Sequence, residues 1–297
     1  MRCDSPLRYP GGKARLAGFL QRTITLNDLN GCSYYEPFAG GAGAAIRLLS
    51  DGHVAHLNLN DADRRIYALW KAILGDTNKF SDRILSIPLT IKEWHNQHSI
   101  CSRGSKVSLF DLGFAAFYMN RCNRSGILIG SGPIGGYNQQ GSWGIDARFN
   151  RENLAKRILA LGRLRERITL ANLDALVFLT EHLPRGRARA NVFVYLDPPY
   201  VSEGKRLYLN HYQEADHRHL ATYILRQNKL PWVMSYDDNP LVRQLYANRA
   251  PLYLFSLRYS LQKREMGREL LIVPEKVNLP RIEVCGIGSG RLVEVAA

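Results

Sequence analysis

The chain has 297 residues, 45% of them hydrophobic and 22% charged, a composition that supports one large folded α/β unit and excludes a disordered protein. Lys and Arg number 40 against 26 Asp and Glu, so the formal net charge of +14 favours a polyanionic partner such as nucleic acid. No apolar run reaches the length of a membrane span, and the first residues lack the apolar core of a secretory signal, so we expect no membrane contact and a cytoplasmic location.

The first elements along the chain form a strand–turn–helix–strand unit. Residues 33–38 predict a buried strand, and FAGGAG at residues 38–43 follows as a glycine turn. Residues 44–49 begin an apolar helix, and residues 53–59 alternate like a second strand. Such a unit is typical of the start of a doubly wound parallel sheet, so we predict an α/β fold with a Rossmann-like sheet.

Residues 64–150 differ in character and predict an insert. Amphipathic helical stretches lead into residues 123–150, a segment rich in Gly, Ser, Asn and Gln that is too polar for a core. This segment predicts a hairpin or a long loop on a helical insert, and a polar insert of this length is typical of a lid or a recognition surface. We therefore assign residues 1–63 and 151–297 to a catalytic domain and residues 64–150 to the insert.

Three further strands are predicted in the last part of the chain. Residues 191–196 (NVFVYL) form a continuous apolar run, as a central parallel strand does. Residues 230–235 and 269–273 also resemble strands, and a helix is predicted around residues 216–227. Ligands of doubly wound sheets bind beyond the carboxyl ends of such strands, which draws attention to the residues after each one.

The glycine turn predicts a site for a nucleoside-containing cofactor. Gly40, Gly41 and Gly43 let backbone N–H groups and a helix N-terminus approach a ligand, and Asp61 follows at the end of the second strand, where a carboxylate accepts ribose hydroxyls. The turn also fits tight packing alone, and both a dinucleotide and S-adenosylmethionine fit the pattern. Glu36 would repel a pyrophosphate and suits the cationic end of S-adenosylmethionine, so charge favours a methyltransferase.

The sequence Asp197-Pro198-Pro199-Tyr200 predicts the catalytic site. It follows the apolar strand directly, and its two prolines remove backbone donors and fix φ, so the chain presents acceptors. The Asp197 carboxylate and the Pro198 carbonyl would accept the two hydrogens of an exocyclic amine. Tyr200 offers a ring on which a flat base stacks, and a base in a duplex reaches such a pocket only when it is flipped out. A rigid strand-end turn without chemistry is the alternative.

Neither a metal site nor a disulfide framework is predicted. The eight histidines are scattered along the chain, and His217 and His219, two residues apart, do not share a helical face, so no zinc site is expected. The five cysteines are odd in number and lack CxxC spacing, which fits a reducing compartment.

The motifs together resemble one family. The chain is similar to the Dam-type N6-adenine DNA methyltransferases of the alpha motif order, over roughly residues 5–275. The ordered set is more specific than any single motif. It comprises RYPGGK (residues 8–13), YEPFAGGAG (35–43), NDAD (60–63), NLDAL (172–176), DPPY (197–200), SYDD (235–238) and ELLI (269–272).

The resemblance implies S-adenosylmethionine as cofactor, no metal, and a role for each matched position. Asp61 would hold the ribose and Asp174 the cofactor adenine amine, while residues 197–200 would bind the target adenine, with Asp197 also close to the methyl group. Contacts to S-adenosylmethionine are implied for Tyr9, Lys13, Phe38 and the glycines Gly40, Gly41 and Gly43. From the residues alone, Lys13 equally fits a surface or phosphate-binding lysine, and Asp174 equally fits a helix N-cap. In NDAD, Asp63 replaces the family's usual Asn.

The same resemblance implies that the insert carries a hairpin that reads double-stranded DNA. Asn120 to Ser125 match the start of the hairpin motif, and we predict Arg121, Asn123 and Arg124 as DNA contacts. A solvated arginine is the alternative for Arg121 and Arg124. The continuation SGILIGSGPIGGYNQQGSW differs from the sequence of the family members specific for GATC. The resemblance therefore does not imply GATC as the recognised DNA sequence.

Two other sets of side chains bear on DNA binding. Trp143 and Tyr137 would either insert into the duplex or pack the hairpin against its helices, and packing is our expectation. The most basic stretch is residues 151–190. We expect its loop arginines Arg185, Arg187 and Arg189 to hold phosphates beside the flipped base, with a solvated face as the alternative.

Three functions fit these observations. The first is a site-specific DNA methyltransferase that modifies N6 of a flipped-out adenine, nucleoid-associated in a bacterial or phage setting, with a cognate restriction endonuclease as a further partner. The second is a methyltransferase acting on another amine, in RNA or at a protein glutamine. The third is a catalytically silent DNA-binding relative. The intact DPPY motif, Asp61 and the glycine turn favour the first.

Overall fold

A computed structural model of the chain describes residues 3–8, 13–201, 212–258, 266–280 and 293–294. The predicted cofactor contact Tyr9 lies outside these residues. No helix within them is long and apolar enough to cross a membrane.

A single mixed sheet of eight strands forms the centre of the fold, in the order β3-β2-β1-β4-β5-β7-β6-β8. The first five strands in chain order run parallel, β7 is antiparallel to β5 and β6, and β8 is antiparallel to β6. The order reverses between β1 and β4, which is the switch point where doubly wound sheets bind ligands. The strands are β1 (Cys32–Glu36), β2 (Val54–Asn60), β3 (Ile168–Ala171), β4 (Val192–Leu196), β5 (Trp232–Asp237), β6 (Leu252–Arg258), β7 (Met266–Ile272) and β8 (Val293–Glu294).

Helices flank this sheet and extend one side of it, which confirms the predicted doubly wound fold with a helical insert. Side-chain caps begin several of them: Asp63 caps α3, Thr90 caps α5 and Ser108 caps α6, each satisfying a backbone N–H of the first turn. The helices are α1 (Ala17–Leu26), α2 (Gly43–Ser50), α3 (Arg64–Gly75), α4 (Thr77–Ser86), α5 (Ile91–Arg103), α6 (Leu109–Cys122), α7 (Arg151–Gly162), α8 (Ala175–His182), α9 (Glu214–Leu225) and α10 (Pro240–Tyr246).

The insert helices pack against one another and share a core with the sheet. Helix α6 lies closely on α3, because Gly113 has no side chain: a Cβ there would meet the carbonyl oxygen of Ala68 at 2.3 Å. Helix α7 packs on α4 and α3, so it joins the same helical layer. The buried side chains of α3 to α7 form one hydrophobic cluster with those of β1, β2, α1 and α2, so insert and sheet are held together by a continuous apolar interior.

The polar segment after α6 folds back on itself with a single antiparallel bridge, between Asn123 and Pro133. Beyond that bridge, hydrogen bonds of one side chain hold the segment together in place of backbone hydrogen bonds between two strands. The amide of Gln139 donates to the carbonyls of Ile134 (2.8 Å) and Gly136 (2.6 Å), and its oxygen accepts from the N–H of Ile145 (2.8 Å). The segment is therefore a loop closed by a short bridge, within the range of forms that its composition predicts.

Candidate active site

The carboxyl ends of β1 to β4 open onto one cavity of about 860 Å³. Its floor is the turn after β1, and its walls are the segments that follow β2, β3 and β4. The N-terminal residues 4–7 and the loop residues 126–129 close the side toward the insert. The cavity therefore lies where the topology of the sheet predicts a ligand, and its volume suits a molecule of cofactor size.

The turn after β1 lines the floor of the cavity. Gly40 has φ 45° and Ala42 has φ 44°, the left-handed conformation in which glycine is favoured. The carbonyl of Gly40 accepts from the indole N–H of Trp70 at 2.9 Å, which fixes the turn from the insert side. Helix α2 starts at Gly43, where a Cβ would lie 3.1 Å from that of Ala14. The turn is thus held rigidly, with the N-terminus of α2 directed at the cavity.

Asp61 lies at the end of β2 and faces the glycine turn. Its two carboxylate oxygens accept from the N–H groups of Gly40 (2.8 Å) and Asp63 (2.9 Å). Burial, and then the charge of Asp63, raise the pKa of Asp61 to about 7. Asp63 itself caps α3 and pairs with Arg65 at 2.7 Å. Asp63 thus acts on Asp61 in two opposite ways, since its charge raises the pKa of Asp61 and the bond from its backbone N–H lowers it.

Glu36 ends β1 and is buried beneath the cavity. Its Oε2 atom has no hydrogen-bond partner among the described residues. Burial and the charges of Asp197 and Asp61 raise the pKa of Glu36 well above its usual range. An unpartnered buried carboxyl costs free energy that a bound cation would recover. This residue therefore fits the predicted cationic ligand and disfavours a pyrophosphate.

Asp197 follows β4 directly and is held by side chains from two other parts of the chain. Its Oδ1 accepts from the hydroxyl of Ser235 on β5 at 2.8 Å and lies 3.4 Å from the ammonium of Lys13. Ser235 is itself bonded to the hydroxyl of Tyr195 at 2.8 Å. Burial raises the pKa of Asp197, and Lys13 and Ser235 oppose that rise. The carboxylate is thus fixed in orientation, with both contacts on one oxygen.

Lys13 is the centre of a buried ionic cluster that sequence reasoning did not predict. It is 7% exposed, and its ammonium lies 2.9 Å from both carboxylate oxygens of Glu269 and 2.6 Å from the hydroxyl of Tyr200. The Tyr200 hydroxyl in turn donates to Glu269. A surface position for Lys13 is therefore wrong. We call Lys13, Asp197, Tyr200 and Glu269 the ionic cluster.

Glu269 belongs to the ELLI motif, and the family resemblance implied no role for it. In the sequence it stands out as the single acid of the otherwise apolar residues 269–273. The register of β7 pairs Glu269 with Asp237 on β5, at the same edge as Asp197. Glu269 lies in the middle of β7, beside the last residue of β5, and a buried acid there is costly unless it meets a cation, which here is Lys13.

The remaining predicted residues of this site lie around the cavity. Pro198 and Pro199 are buried after β4, and Gly41 and Pro199 line the cavity. Phe38 also lines it and packs edge-on against Tyr212, with ring centroids 5.6 Å apart. Asp174 lines the outer rim, where its side chain caps α8 by accepting from the N–H groups of Leu176 and Val177. The N-cap alternative for Asp174 is therefore present, at a position that still borders the cavity.

The three residues predicted to contact DNA lie in different environments. Asn123 is fully buried, and its amide is occupied by the indole of Trp94 and the carbonyls of Ile127 and Leu128, so it holds the loop and offers no edge to a base. Arg121 is half-buried and donates to the backbone carbonyls of Arg148 and Pro6.

Burial and the neighbouring arginine charges lower the pKa of Arg121 to about 10, as expected for a guanidinium surrounded by cations. Of the three, Arg124 is exposed, on the loop that follows α6. Tyr137 stacks on His95 but is 58% exposed, and Trp143 is 70% exposed, so packing does not account for Trp143.

The expected position of the loop arginines beside the catalytic strand end is wrong. Arg185, Arg187 and Arg189 precede β4, whereas Asp197 follows it. In a parallel strand these positions lie at opposite edges of the sheet, separated here by five residues or about 17 Å. These arginines therefore do not flank the cavity.

Three comparisons with known proteins bear on the family of this chain. A comparison with curated sequences gives no match. One solved structure, titled as a conserved hypothetical protein of Streptococcus pyogenes, matches 86% of this chain and 97% of its own at 13% identity, with a TM-score of 0.34. The family model of the D12 class N6 adenine-specific DNA methyltransferases matches residues 9–266, most of the chain. The chain belongs to the D12 class N6 adenine-specific DNA methyltransferase family.

Proposed function

We propose that this protein transfers the methyl group of S-adenosylmethionine to N6 of an adenine flipped out of double-stranded DNA, at specific sites. The observation that carries the proposal is Asp197, an oriented acceptor carboxylate at the end of β4, beside a cavity with the buried carboxyl of Glu36 in its floor, whose Oε2 atom has no partner among the described residues. S-adenosylmethionine, the cofactor of the family, supplies an electrophilic methyl group and a cationic end that such a cavity favours.

The cofactor is proposed to lie between the glycine turn and the ionic cluster. Asp61 accepts its ribose hydroxyls, Glu36 compensates its positive charge, and Phe38 packs on its apolar part. Asp174, on the outer rim, is within the cavity wall that would face the adenine. No group of three potential metal ligands occurs among the described residues. The proposed chemistry requires no metal ion.

Catalysis by this chain rests on orientation and charge. Asp197 and the Pro198 carbonyl accept the two N6 hydrogens of the adenine, which directs the nitrogen lone pair out of conjugation and toward the methyl group. Tyr200 provides the ring on which the base stacks. Methylation would make one N6 proton acidic, and the Asp197 carboxylate, bonded to that hydrogen, would accept it as the methyl group is transferred from sulfur to nitrogen.

A methyl-transfer assay with labelled S-adenosylmethionine on unmodified DNA, RNA and protein tests this function against its alternatives. We expect label in DNA as N6-methyladenine. Label in RNA or protein alone would support another amine as substrate. Absence of transfer to every DNA, with cofactor binding retained, would contradict the proposal and favour a silent relative.

Asp61 gives the proposal a pH dependence. If the ionised carboxylate is required, a pKa of about 7 makes the affinity for S-adenosylmethionine about tenfold weaker at pH 6 than at pH 8, because the competent fraction falls from about nine-tenths to one-tenth. Titration calorimetry across this range measures the effect. Asp61→Asn should bind more weakly at pH 8 and lose most of the dependence; an unchanged profile in this variant would assign the titration to another group, such as Glu36.

We propose that the insert, residues 64–150, recognises the DNA sequence and that Arg124 is one of its contacts. Arg124→Ala is expected to relax or weaken site recognition and to reduce the slope of log affinity against log salt by about 1 if it meets a phosphate. Sequencing of modified bases, together with binding at several salt concentrations, measures both. The exposed Arg22, on α1 and outside the insert, provides a matched control as Arg22→Ala. An unchanged target spectrum and salt slope would remove Arg124 from the interface.

The same proposal includes the cellular setting. Double-stranded DNA as substrate implies a nucleoid-associated enzyme in the cytoplasm of a bacterium or a phage-infected cell, and a cognate restriction endonuclease is a further proposed partner. Mapping the modified sequence in DNA from cells that express the protein supplies the site. An endonuclease that cuts this sequence only when it is unmodified would identify the partner.

A further inference from the structure

The cavity at the carboxyl edge of the parallel sheet and the loops that lead into β4 and β5 differ in charge. The carboxyl edge holds the acids of the cavity, among them Glu36, Asp61 and Asp197. At the amino edge, the loops that lead into β4 and β5, residues 183–191 and 226–231, contain five basic residues and no acid. We call these five the amino-edge patch: Arg185, Arg187, Arg189, Arg226 and Lys229.

Strand pairing and a side-chain contact place the two loops side by side. Strands β4 and β5 are neighbours, with Val194 in register with Trp232. The guanidinium of Arg189 donates to the side-chain oxygen of Gln227 at 2.5 Å, which joins one loop to the other. The positive charges of the patch therefore lie on one continuous surface.

The charge of the patch is not neutralised by neighbouring acids. Its other four members are exposed: Arg185, Arg187, Arg226 and Lys229. The ion pairs among the described residues include none of them. A set of exposed cations without counter-charges raises the local concentration of a polyanion and loses little solvation on binding one.

The active site and the patch face opposite directions. Strand β4 alone separates Asp197 from the patch by about 17 Å, and a duplex that delivers its adenine to Asp197 runs across the carboxyl edge. Duplex DNA carries one negative charge per about 1.7 Å of its axis, and it is the polyanion that the proposed function brings to this protein. We propose that the amino-edge patch binds the phosphates of a second segment of double-stranded DNA while the first occupies the active site.

This inference rests on the proposed function for the identity of the partner, and it adds a consequence for how the enzyme moves. With two segments held, the protein is released from one only after it has engaged the next. Transfer between segments of a long DNA then becomes faster than dissociation into solution. Methylation of a short duplex with a single site does not use the patch.

The test compares the wild type with two triple variants at exposed positions. Arg185→Gln, Arg187→Gln and Arg226→Gln together remove three charges, and the corresponding three Arg→Lys changes keep the charge as a matched control. Each protein is saturated with a short duplex that carries the methylation site. A second short duplex without the site is then added, and energy transfer between dyes on the two duplexes reports their simultaneous binding.

We expect the wild type and the lysine variant to bind the second duplex. The glutamine variant should bind it at least tenfold more weakly, with the salt slope for this step lower by about 2.7, three phosphates at about 0.9 each. Turnover on the single-site duplex should stay within twofold in all three. Equal second-duplex binding by the glutamine variant, no second duplex on the wild type at any salt, or a second site that takes single-stranded RNA but not duplex DNA would each overturn the inference. Absence of adenine methylation by the wild type would instead contradict the proposed function, and the energy-transfer measurement would still report on the patch.

Discussion

Replacement of Asp197 by alanine is expected to lower methyl transfer by at least about a thousandfold while both ligands still bind. The carboxylate is proposed to accept an N6 hydrogen, and the loss of one oriented group at a reacting centre has effects of about 10²–10³ or more on turnover. The variant also removes the charge that lies 3.4 Å from Lys13, but Glu269 remains as its partner, so the cluster keeps an ion pair. Steady-state methylation of a defined duplex measures the effect.

The controls separate chemistry from folding. Asp238 follows the neighbouring strand β5, and its carboxylate pairs with Arg243 at 2.6 Å, outside the lining of the cavity. Asp238→Ala should therefore methylate DNA within about threefold of the wild type, as surface pairs contribute little. Asp197→Asn keeps one acceptor oxygen and should retain more activity than Asp197→Ala. Turnover of Asp197→Ala within tenfold of the wild type would refute the role of this carboxylate.

Local patterns predicted the part of the site that one stretch of chain can build. A strand, a glycine turn and a helix follow each other within residues 32–50, and an apolar strand leads directly into Asp197. In such cases the position of a side chain follows from the strand that precedes it, since parallel strands present their carboxyl ends at one edge. Asp61, Glu36 and the glycine turn accordingly line the same cavity.

The ionic cluster was beyond sequence reasoning because its members are distant along the chain. Lys13 and Glu269 are 256 residues apart and meet only because the antiparallel strand β7 lies next to β5. By contrast, the sequence alone contains enough information to place the loop arginines at the correct edge of the sheet. Residues that precede a parallel strand lie at its amino edge, so Arg185 to Arg189 were never close to Asp197.

Asn123 shows a different limit. A polar residue in a polar loop predicts a surface contact, but the amide of Asn123 is bonded to the indole of Trp94 on α5 and to two carbonyls of the loop. Long polar loops need such internal partners, because their backbone groups lack a ladder. Composition alone does not tell which polar side chain holds the loop and which meets a ligand.

The ionic cluster leads to the second large expected effect. Glu269→Gln should lower kcat by about a hundredfold with a smaller change in the KM for DNA. Without the charge of Glu269, the Lys13 ammonium has Asp197 as its remaining anionic partner in the cluster, and a closer pair there would occupy the oxygen that the amine needs. Glu269 also accepts from the Tyr200 hydroxyl, and a glutamine would keep an acceptor oxygen there but lose the negative charge that strengthens this bond. Glu269 is thus a positioning residue that acts through Lys13 and Tyr200.

A pH profile distinguishes this role from a loss of stability. Burial raises the pKa of Glu269, and Lys13 lowers it, so the wild-type cluster holds two carboxyls that repel each other around one ammonium. Removing one negative charge and strengthening the contact of Lys13 with Asp197 both lower the pKa of Asp197. If protonation of Asp197 sets the acid limb of kcat, that limb should move to lower pH in Glu269→Gln. The exposed Glu275, just after β7, gives the matched control Glu275→Gln, with an unchanged profile. A Glu269→Gln enzyme with wild-type kcat and an unmoved acid limb would leave Glu269 with no part in the reaction beyond folding.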